Sequence, residues 1–242
     1  FELPPAAELE NRLDNVLLAI YLLFNEGYNS TQHEDLIRKD LMHEAMQLCE
    51  LICRSRAVDH CKAHALMALI CFTASRNEAR QDAAGNILLL KEQDRKRWNK
   101  ALIEKGIFHL EASSEAEQVN KYQLEAGIAY EHARAASYAS TNWRNILKCY
   151  DLMCQFYPSP IIELNRAIVI SEINGPAEGI KAIEAITNLS ALKKYYLLPA
   201  TLGELNWQLQ NNKLAKQYFA QAMELTKSAA ERKLLQQKMN QH

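Results

Sequence analysis

The amino-acid sequence predicts an all-α protein, a helical bundle or α-solenoid of about eleven helices. Three observations predict it. Apolar residues recur every three to four positions along nearly the whole chain, no alternating run of convincing strand length occurs, and only seven Gly and six Pro interrupt 242 residues. So few turn formers exclude collagen-like, linker-like and hairpin-rich β architectures. A chain of this length with 48% hydrophobic residues can bury a sizeable core without disulfides or metals as staples.

Taken in order, Leu13, Val16, Leu17, Ile20, Leu23 and Phe24 predict one face of a first helix, with Gly27 as its left-handed stop. A second helix is expected over Asp40–Cys53 with Leu41, Ala45, Leu48 and Ile52 facing in. A third is expected over Val58–Ala74 with Ala65, Leu66, Leu69 and Phe72 inside. Ile87 to Leu90 is a short apolar run that an extended segment would also explain. Further on, Ser114 with Glu117 and Ser228 with Glu231 read as capping boxes and Thr141 as an N-cap. Ser159-Pro160 and Gly175-Pro176 put proline at the first helical position.

The last third repeats itself. Leu202, Gly203, Ala215, Phe219 and Ala222 fit a tetratricopeptide-like hairpin, in which small residues stand where two helices cross closely. Shifted back by 36 residues, Ala167, Gly179, Ile183 and Ile186 occupy the positions of Gly203, Ala215, Phe219 and Ala222. Such hairpins cannot bury their apolar faces alone, so residues 1–157 are expected to form a helical platform and 158–242 the hairpins, as one continuous domain.

Charge is balanced in total and uneven along the chain. The 28 basic and 29 acidic residues leave a net charge of −1, which argues against binding nucleic acid wholesale. Residues 1–50 hold ten acidic and three basic side chains, net −7, whereas 51–100 hold ten basic and five acidic, net +5. That asymmetry suits docking onto charged protein partners. The most apolar stretch, Val16 to Phe24, is nine residues long against the ~20 that a membrane span requires, so no membrane contact is expected. The start at Phe1, without an initiator Met or a signal-peptide pattern, reads as a fragment of a longer protein.

Motifs of known enzymes are missing: no GxGxxG, Walker loop, GxSxG elbow or HExxH occurs, so no catalysis and no cofactor are expected. The six cysteines lack a CxxC pair and read as reduced thiols of a cytoplasmic protein. Cys49, Cys53, Cys61 and His64 are the best metal candidates, but the helical packing face formed by Cys49 and Cys53 is the simpler explanation, and no metal is expected. Lys91 to Lys100 mixes basic residues with Trp98, which could straddle a phosphate backbone. A helix start explains it more simply, with Asp94 capping and Trp98 facing the core.

Several of these elements resemble a known family. The run Leu17-Leu18-Ala19-Ile20-Tyr21-Leu22-Leu23-Phe24-Asn25-Glu26-Gly27-Tyr28 resembles the opening of the C-terminal extension found in a group of bacterial extracytoplasmic-function sigma factors. So do Asp40-Leu41 with Glu44-Ala45, Leu66-Met67-Ala68-Leu69, Arg76 with Ala79-Arg80, and Gln93-Asp94-Arg95 with Trp98. Tyr122-Gln123-Leu124, Ala129, His132-Ala133, Pro158-Ser159-Pro160 and Leu164-Asn165-Arg166-Ala167 continue the likeness, which covers nearly the whole chain. Departures are Thr141-Asn142-Trp143, where the family tends to have Thr-Asp-Trp, and Ser55 to His60, which lacks the usual proline.

The resemblance implies an appended tail that regulates transcription initiation through protein contacts, with its own sigma modules and RNA polymerase as partners. Promoter DNA would be met only through the N-terminal modules missing from this chain. The candidate interaction surface is Asn25, Glu26, Tyr28, Arg38, Asp40, Gln93, Asp94, Arg95, Asn165 and Arg166. The alternative is a free-standing helical-repeat adaptor that binds peptides, with Asn165 contacting a peptide backbone and Arg166 pairing a carboxylate.

Overall fold

The segment Cys61–Ala74 has almost no polar face, and in a computed structural model it is the helix around which the first half of the chain is built. Eleven of its fourteen residues are buried, as expected of a helix surrounded on all sides. The structure describes residues 6–29, 38–55, 60–116 and 118–240. Among them are eleven α-helices and no strand, as the periodicity predicts. They are α1 (Ala6–Tyr28), α2 (Lys39–Cys53), α3 (Cys61–Ala74), α4 (Lys100–Ser113), α5 (Lys121–Arg134), α6 (Trp143–Phe156), α7 (Pro160–Asn174), α8 (Pro176–Glu184), α9 (Leu197–Gln208), α10 (Asn212–Leu225) and α11 (Ala229–Asn240). Four 3-10 turns join them, at Asn77–Ala79, Leu90–Glu92, Arg95–Arg97 and Leu189–Leu192. No described helix is long and apolar enough to cross a membrane.

The helices divide into two compact units, Phe1–Arg80 with Leu90–Thr141, and Gln81–Leu89 with Asn142–His242. In the first, α3 packs against α1, α2, α4 and α5. Its core joins Leu13, Leu17, Ile20 and Phe24 of α1 with Met42, Ala45, Cys49 and Cys53 of α2 and nine buried residues of α3, from Ala63 to Ala74. Two inward-facing assignments are corrected here. Val16 is 44% exposed and Leu48 38%, because α1 turns its Leu13-Leu17-Ile20-Phe24 stripe inward and α2 its Met42-Ala45-Cys49-Cys53 stripe, and each of the two residues lies one position off its stripe. Val58 lies outside the described residues.

Gly27 stands inside α1, and it is not among the positive-φ glycines. A Cβ at Gly27 would lie 2.8 Å from both Cγ and the backbone N of Met42, so glycine is needed for the close approach of α2 and not for a left-handed stop. Gly106 plays the same part on α4, where a Cβ would meet the Phe72 ring at 2.6 Å.

The second unit contains two helical hairpins in the register of the 36-residue repeat. Ala167, Ile183, Ile186 and Leu205 share one core cluster with Leu164 and Leu192, while Ala215, Phe219 and Ala222 share another with Leu235. A Cβ on Gly203 would lie 2.7 Å from the Phe219 ring, and one on Gly179 would lie 2.5 Å from Cβ of Ser171. Both helix crossings therefore require the small residue that the repeat signature calls for. Helix α6, which precedes residue 158, packs on α7.

Helix ends follow capping chemistry, with three corrections. Asn142, not Thr141, caps α6 by accepting from the Asn145 N–H, while Thr141 is buried and its hydroxyl donates to the Ser137 carbonyl. Ser114 ends α4 and does not begin a helix, its hydroxyl donating to the Glu111 carbonyl; Glu117 lies outside the described residues. A full capping box forms instead between Asn120 and Gln123 at α5. Half of the Ser228–Glu231 box forms: the Glu231 N–H donates to Ser228 Oγ, but the carboxylate turns to Thr226 and Tyr196. Gly175 has φ 92°, so glycine both ends α7 and lets Pro176 start α8. Ile87 makes one isolated bridge with Gln81, closing a turn in which the Asp82 carboxylate accepts from the Ala84 and Asn86 N–H groups.

Candidate functional site

Three segments far apart in sequence meet at one end of α3. The last turn of α1 supplies Tyr28, the turn after α3 supplies Arg76 and Arg80, and the 3-10 turn before α4 supplies Arg95 and Trp98. Asp94 caps that turn by accepting from the Lys96 N–H, and Asn99, bonded through its N–H to the Ser75 carbonyl, caps α4. The basic-aromatic run is thus a pair of caps with Trp98 4% exposed in the core, as the simpler reading has it, whereas Arg95, expected in solvent with the other basic residues of the run, is half-buried against Trp98.

Arginine and aromatic groups alternate through the cluster. Arg76 donates to the Tyr28 hydroxyl at 2.9 Å, and its guanidinium carbon lies 5.9 Å from the Tyr28 ring centroid and 5.9 Å from that of Trp98. Arg80 stacks on Tyr28 at 3.7 Å and donates to the Tyr28 carbonyl, while Arg95 stacks on Trp98 at 4.1 Å and donates to the His132 carbonyl of α5. Phe24 stacks beneath Tyr28 at 5.8 Å. Stacking a guanidinium on a partly desolvated ring contributes about 0.5–2 kcal/mol, which offsets part of the cost of removing these cations from water.

Among the described residues no carboxylate forms an ion pair with Arg76, Arg80 or Arg95. Burial lowers the Arg80 and Arg95 guanidinium pKa values from their ordinary range, and repulsion from Arg76 adds to it at both. His132 is pushed down to about 3, first by burial and then by Arg76 and Arg95, so its imidazole is neutral at neutral pH. Three cations gathered without a counter-charge among the described residues favour an anionic group, a carboxylate above all, because guanidinium binds it in a fork.

The predicted surface residues divide among several settings. Tyr28 and Arg95 belong to the cluster, and Gln93 and Asp94 immediately precede Arg95. The Arg38 N–H donates to the Gly27 carbonyl at 2.7 Å, and its side chain pairs with Asp40 at 2.6 Å, which lowers the Asp40 carboxyl pKa. Asn25 and Glu26 are half-buried on the last turns of α1, and Asn25 hydrogen-bonds with Tyr21. Asn165 and Arg166 lie on α7 in the second unit, where Arg166 pairs with Asp151 of α6 at 2.6 Å. Part of the acidic first segment is neutralised internally, since Asp14 pairs with Lys62 at 2.8 Å and Glu50 with Lys105 at 2.8 Å. Arg76, Arg80 and Trp98 complete the cluster although sequence reasoning left them out of the surface; an i, i+4 arginine pair after an apolar helix was the available signal.

All six cysteines are free thiols. Of the quartet considered as a metal set, Cys49 is fully buried with its Sγ 3.4 Å from the Ala63 carbonyl, and Cys53 and His64 lie beside His109 of α4. The Cys53 thiol is held below its ordinary pKa range by the hydrogen bond from Cys49 and then by that from His109, and burial raises Cys71 to about 12.

Residues 12–114 match a family of unknown function (DUF6596). That span runs from α1 to the end of α4 and includes every residue of the arginine cluster except His132. An uncharacterized protein of Rhizobium meliloti (strain 1021) is 32% identical over 231 residues, which is 96% of this chain and 54% of that relative. The chain thus spans about half the length of the curated relative it matches. No solved structure matches it.

Proposed function

We propose that this chain is the C-terminal regulatory domain of an extracytoplasmic-function sigma factor, acting in the cytoplasm through protein contacts and without catalysis. The observation that carries the reading is convergence. The Phe24-to-Tyr28 run, the Arg76 and Arg80 pair, the Gln93-to-Trp98 run and His132 are separate segments of the sigma-factor resemblance, and their residues meet in one arginine-aromatic cluster. The cluster holds three half-buried guanidiniums that form no ion pair with a described carboxylate.

In this reading the half-buried guanidiniums of Arg76, Arg80 and Arg95 accept an acidic side chain from the sigma modules or from RNA polymerase. Their stacking on Tyr28 and Trp98 fixes the forks in advance, so little side-chain entropy is lost on docking. Promoter DNA is met by the N-terminal modules and not by this domain, consistent with its net charge of −1. The test is transcription in vitro with RNA polymerase and the full-length gene product, compared with the same product lacking residues 1–242. Promoter-dependent output that changes on deletion is expected. Full-length protein that supports no promoter-dependent initiation, or output indifferent to the deletion, overturns the reading.

A further inference from the structure

Away from the arginine cluster, the first unit holds a second group of side chains whose chemistry none of the foregoing uses. Helix α2 contributes Cys53 from its last turn, α3 contributes His64 from its first, and α4 contributes His109. Sγ of Cys53 and a ring nitrogen of each histidine all lie within 4.8 Å of one another. The two imidazoles face each other through their Nδ1 atoms, 2.8 Å apart, with ring centroids separated by 4.9 Å. Cys53 and His109 are buried and His64 is half-buried, so the group is enclosed on one side and open on the other.

We propose that Cys53, His64 and His109 form a binding site for a borderline-soft divalent cation, zinc in the first place. One thiolate and two imidazoles are the donor set such a cation selects, whereas calcium and magnesium require oxygen ligands. Tetrahedral zinc with bonds of about 2.0–2.3 Å separates its ligands by about 3.3–3.6 Å. The three donors need shifts of only about an ångström to reach that geometry, with the two nitrogens moving slightly apart.

The surroundings fit as well. With Nδ1 of His109 directed at the site, its Nε2 lies 4.0 Å from the Glu50 carboxylate, which Lys105 holds in turn at 2.8 Å. At 4.0 Å this contact is electrostatic and not a hydrogen bond; closing by about 1 Å on metal binding would let the carboxylate fix that histidine's tautomer and orientation. Three protein ligands leave the fourth position to water or an incoming group, and the half-buried His64 side is where the ion enters. The sequence quartet Cys49, Cys53, Cys61 and His64 is therefore revised. Cys61 and Cys49 are replaced by His109, which stands 45 residues from His64 and so has no spacing signature. Bound metal would tie the ends of α2, α3 and α4 together and raise the stability of the first unit with metal concentration.

The test is titration of the metal-free 242-residue chain with cobalt(II), followed by displacement with zinc. One equivalent should bind, giving the sulfur-to-cobalt charge-transfer band and the intense visible bands of tetrahedral cobalt, and zinc should abolish both. Cys53→Ser should lose the charge-transfer band, His64→Gln and His109→Gln should lose stoichiometric binding, and Glu50→Gln should weaken it about 10–100-fold. Cys154→Ser, in the second unit, should bind as the parent does. Circular dichroism of each variant separates a lost ligand from a lost fold, and His64→Gln, at a half-buried position, is the variant least exposed to that ambiguity. A folded parent chain that binds neither ion, or binding that survives both Cys53→Ser and His64→Gln, overturns the proposal.

Discussion

The two units bury their surface in different ways. In the first, one helix that is apolar all round is wrapped by four others, and the polar chemistry of the protein collects at its two ends: the arginine-aromatic cluster after Ala74 and the Cys53–His64–His109 group near Cys61. In the second, helices pair in succession, and at each of the two hairpin crossings a glycine lets a neighbour approach closely, as Gly203 does for Phe219. A wrapped helix forces segments distant in sequence to meet at its ends. A stack of hairpins brings together mainly neighbours, so it repeats and is legible, but it gathers fewer unlike groups in one place.

The contrast can be broken most forcefully at α3. Leu66 is fully buried, and Leu66→Ala should cost about 2–5 kcal/mol, read by thermal or urea melting. Amide exchange should show protection lost across α1 to α5 and retained in α9 and α10; equal loss in both units would remove the distinction. Gly203→Leu is the corresponding lesion in the hairpins. Driving a side chain into the Phe219 ring should cost about 1–3 kcal/mol, with lost protection centred on α9 and α10. An unchanged melting temperature would mean that this crossing is not tight.

The first unit should also lose stability in acid through His132. Its folded pKa of about 3 lies below its ordinary value of 6.5, so the unfolded chain takes up the proton first. The contribution is fully present above pH 6.5 and is lost as pH falls from there toward 3. His132→Gln should flatten that part of the stability profile, and an unaltered profile would show the imidazole to be better solvated than its surroundings of α5, Arg76 and Arg95 imply. Smaller still is the effect at α6, where Asn142→Ala should cost about 1 kcal/mol through loss of the cap. Ser114→Ala should be nearly silent, because Ser114 ends a helix whose last carbonyls water can satisfy.

Helix number and hairpin register were legible because both depend on local spacing: Ala167, Ile183, Gly203 and Phe219 are placed by periods of 3.6 and 36 residues. What sat one residue off was also local. Val16 and Leu48 fit an apolar stripe by count, yet the stripe that is buried runs beside them, since tertiary contact with α3 chooses between two adjacent faces. Thr141 and Asn142 are both cap formers, and only the backbone geometry selects the second. The sequence predicts a stop at Gly27 because glycine commonly is one, whereas the approach of Met42 sets its role. The candidate sites were visible in fragments. Tyr28 and Arg95 stood out singly, but no spacing rule joins residues 28, 76, 80, 95 and 132, or residues 53, 64 and 109, before α3 brings them together.

The most direct test of the account is to neutralise the arginine cluster in the full-length gene product, with Arg76→Gln and Arg80→Gln made singly and together, and to measure promoter-dependent transcription in vitro beside the melting curve. Output should change in each single variant and further in the double, while the first unit still unfolds cooperatively and stays folded at the assay temperature. Transcription equal to the parent's in the folded double variant would contradict it.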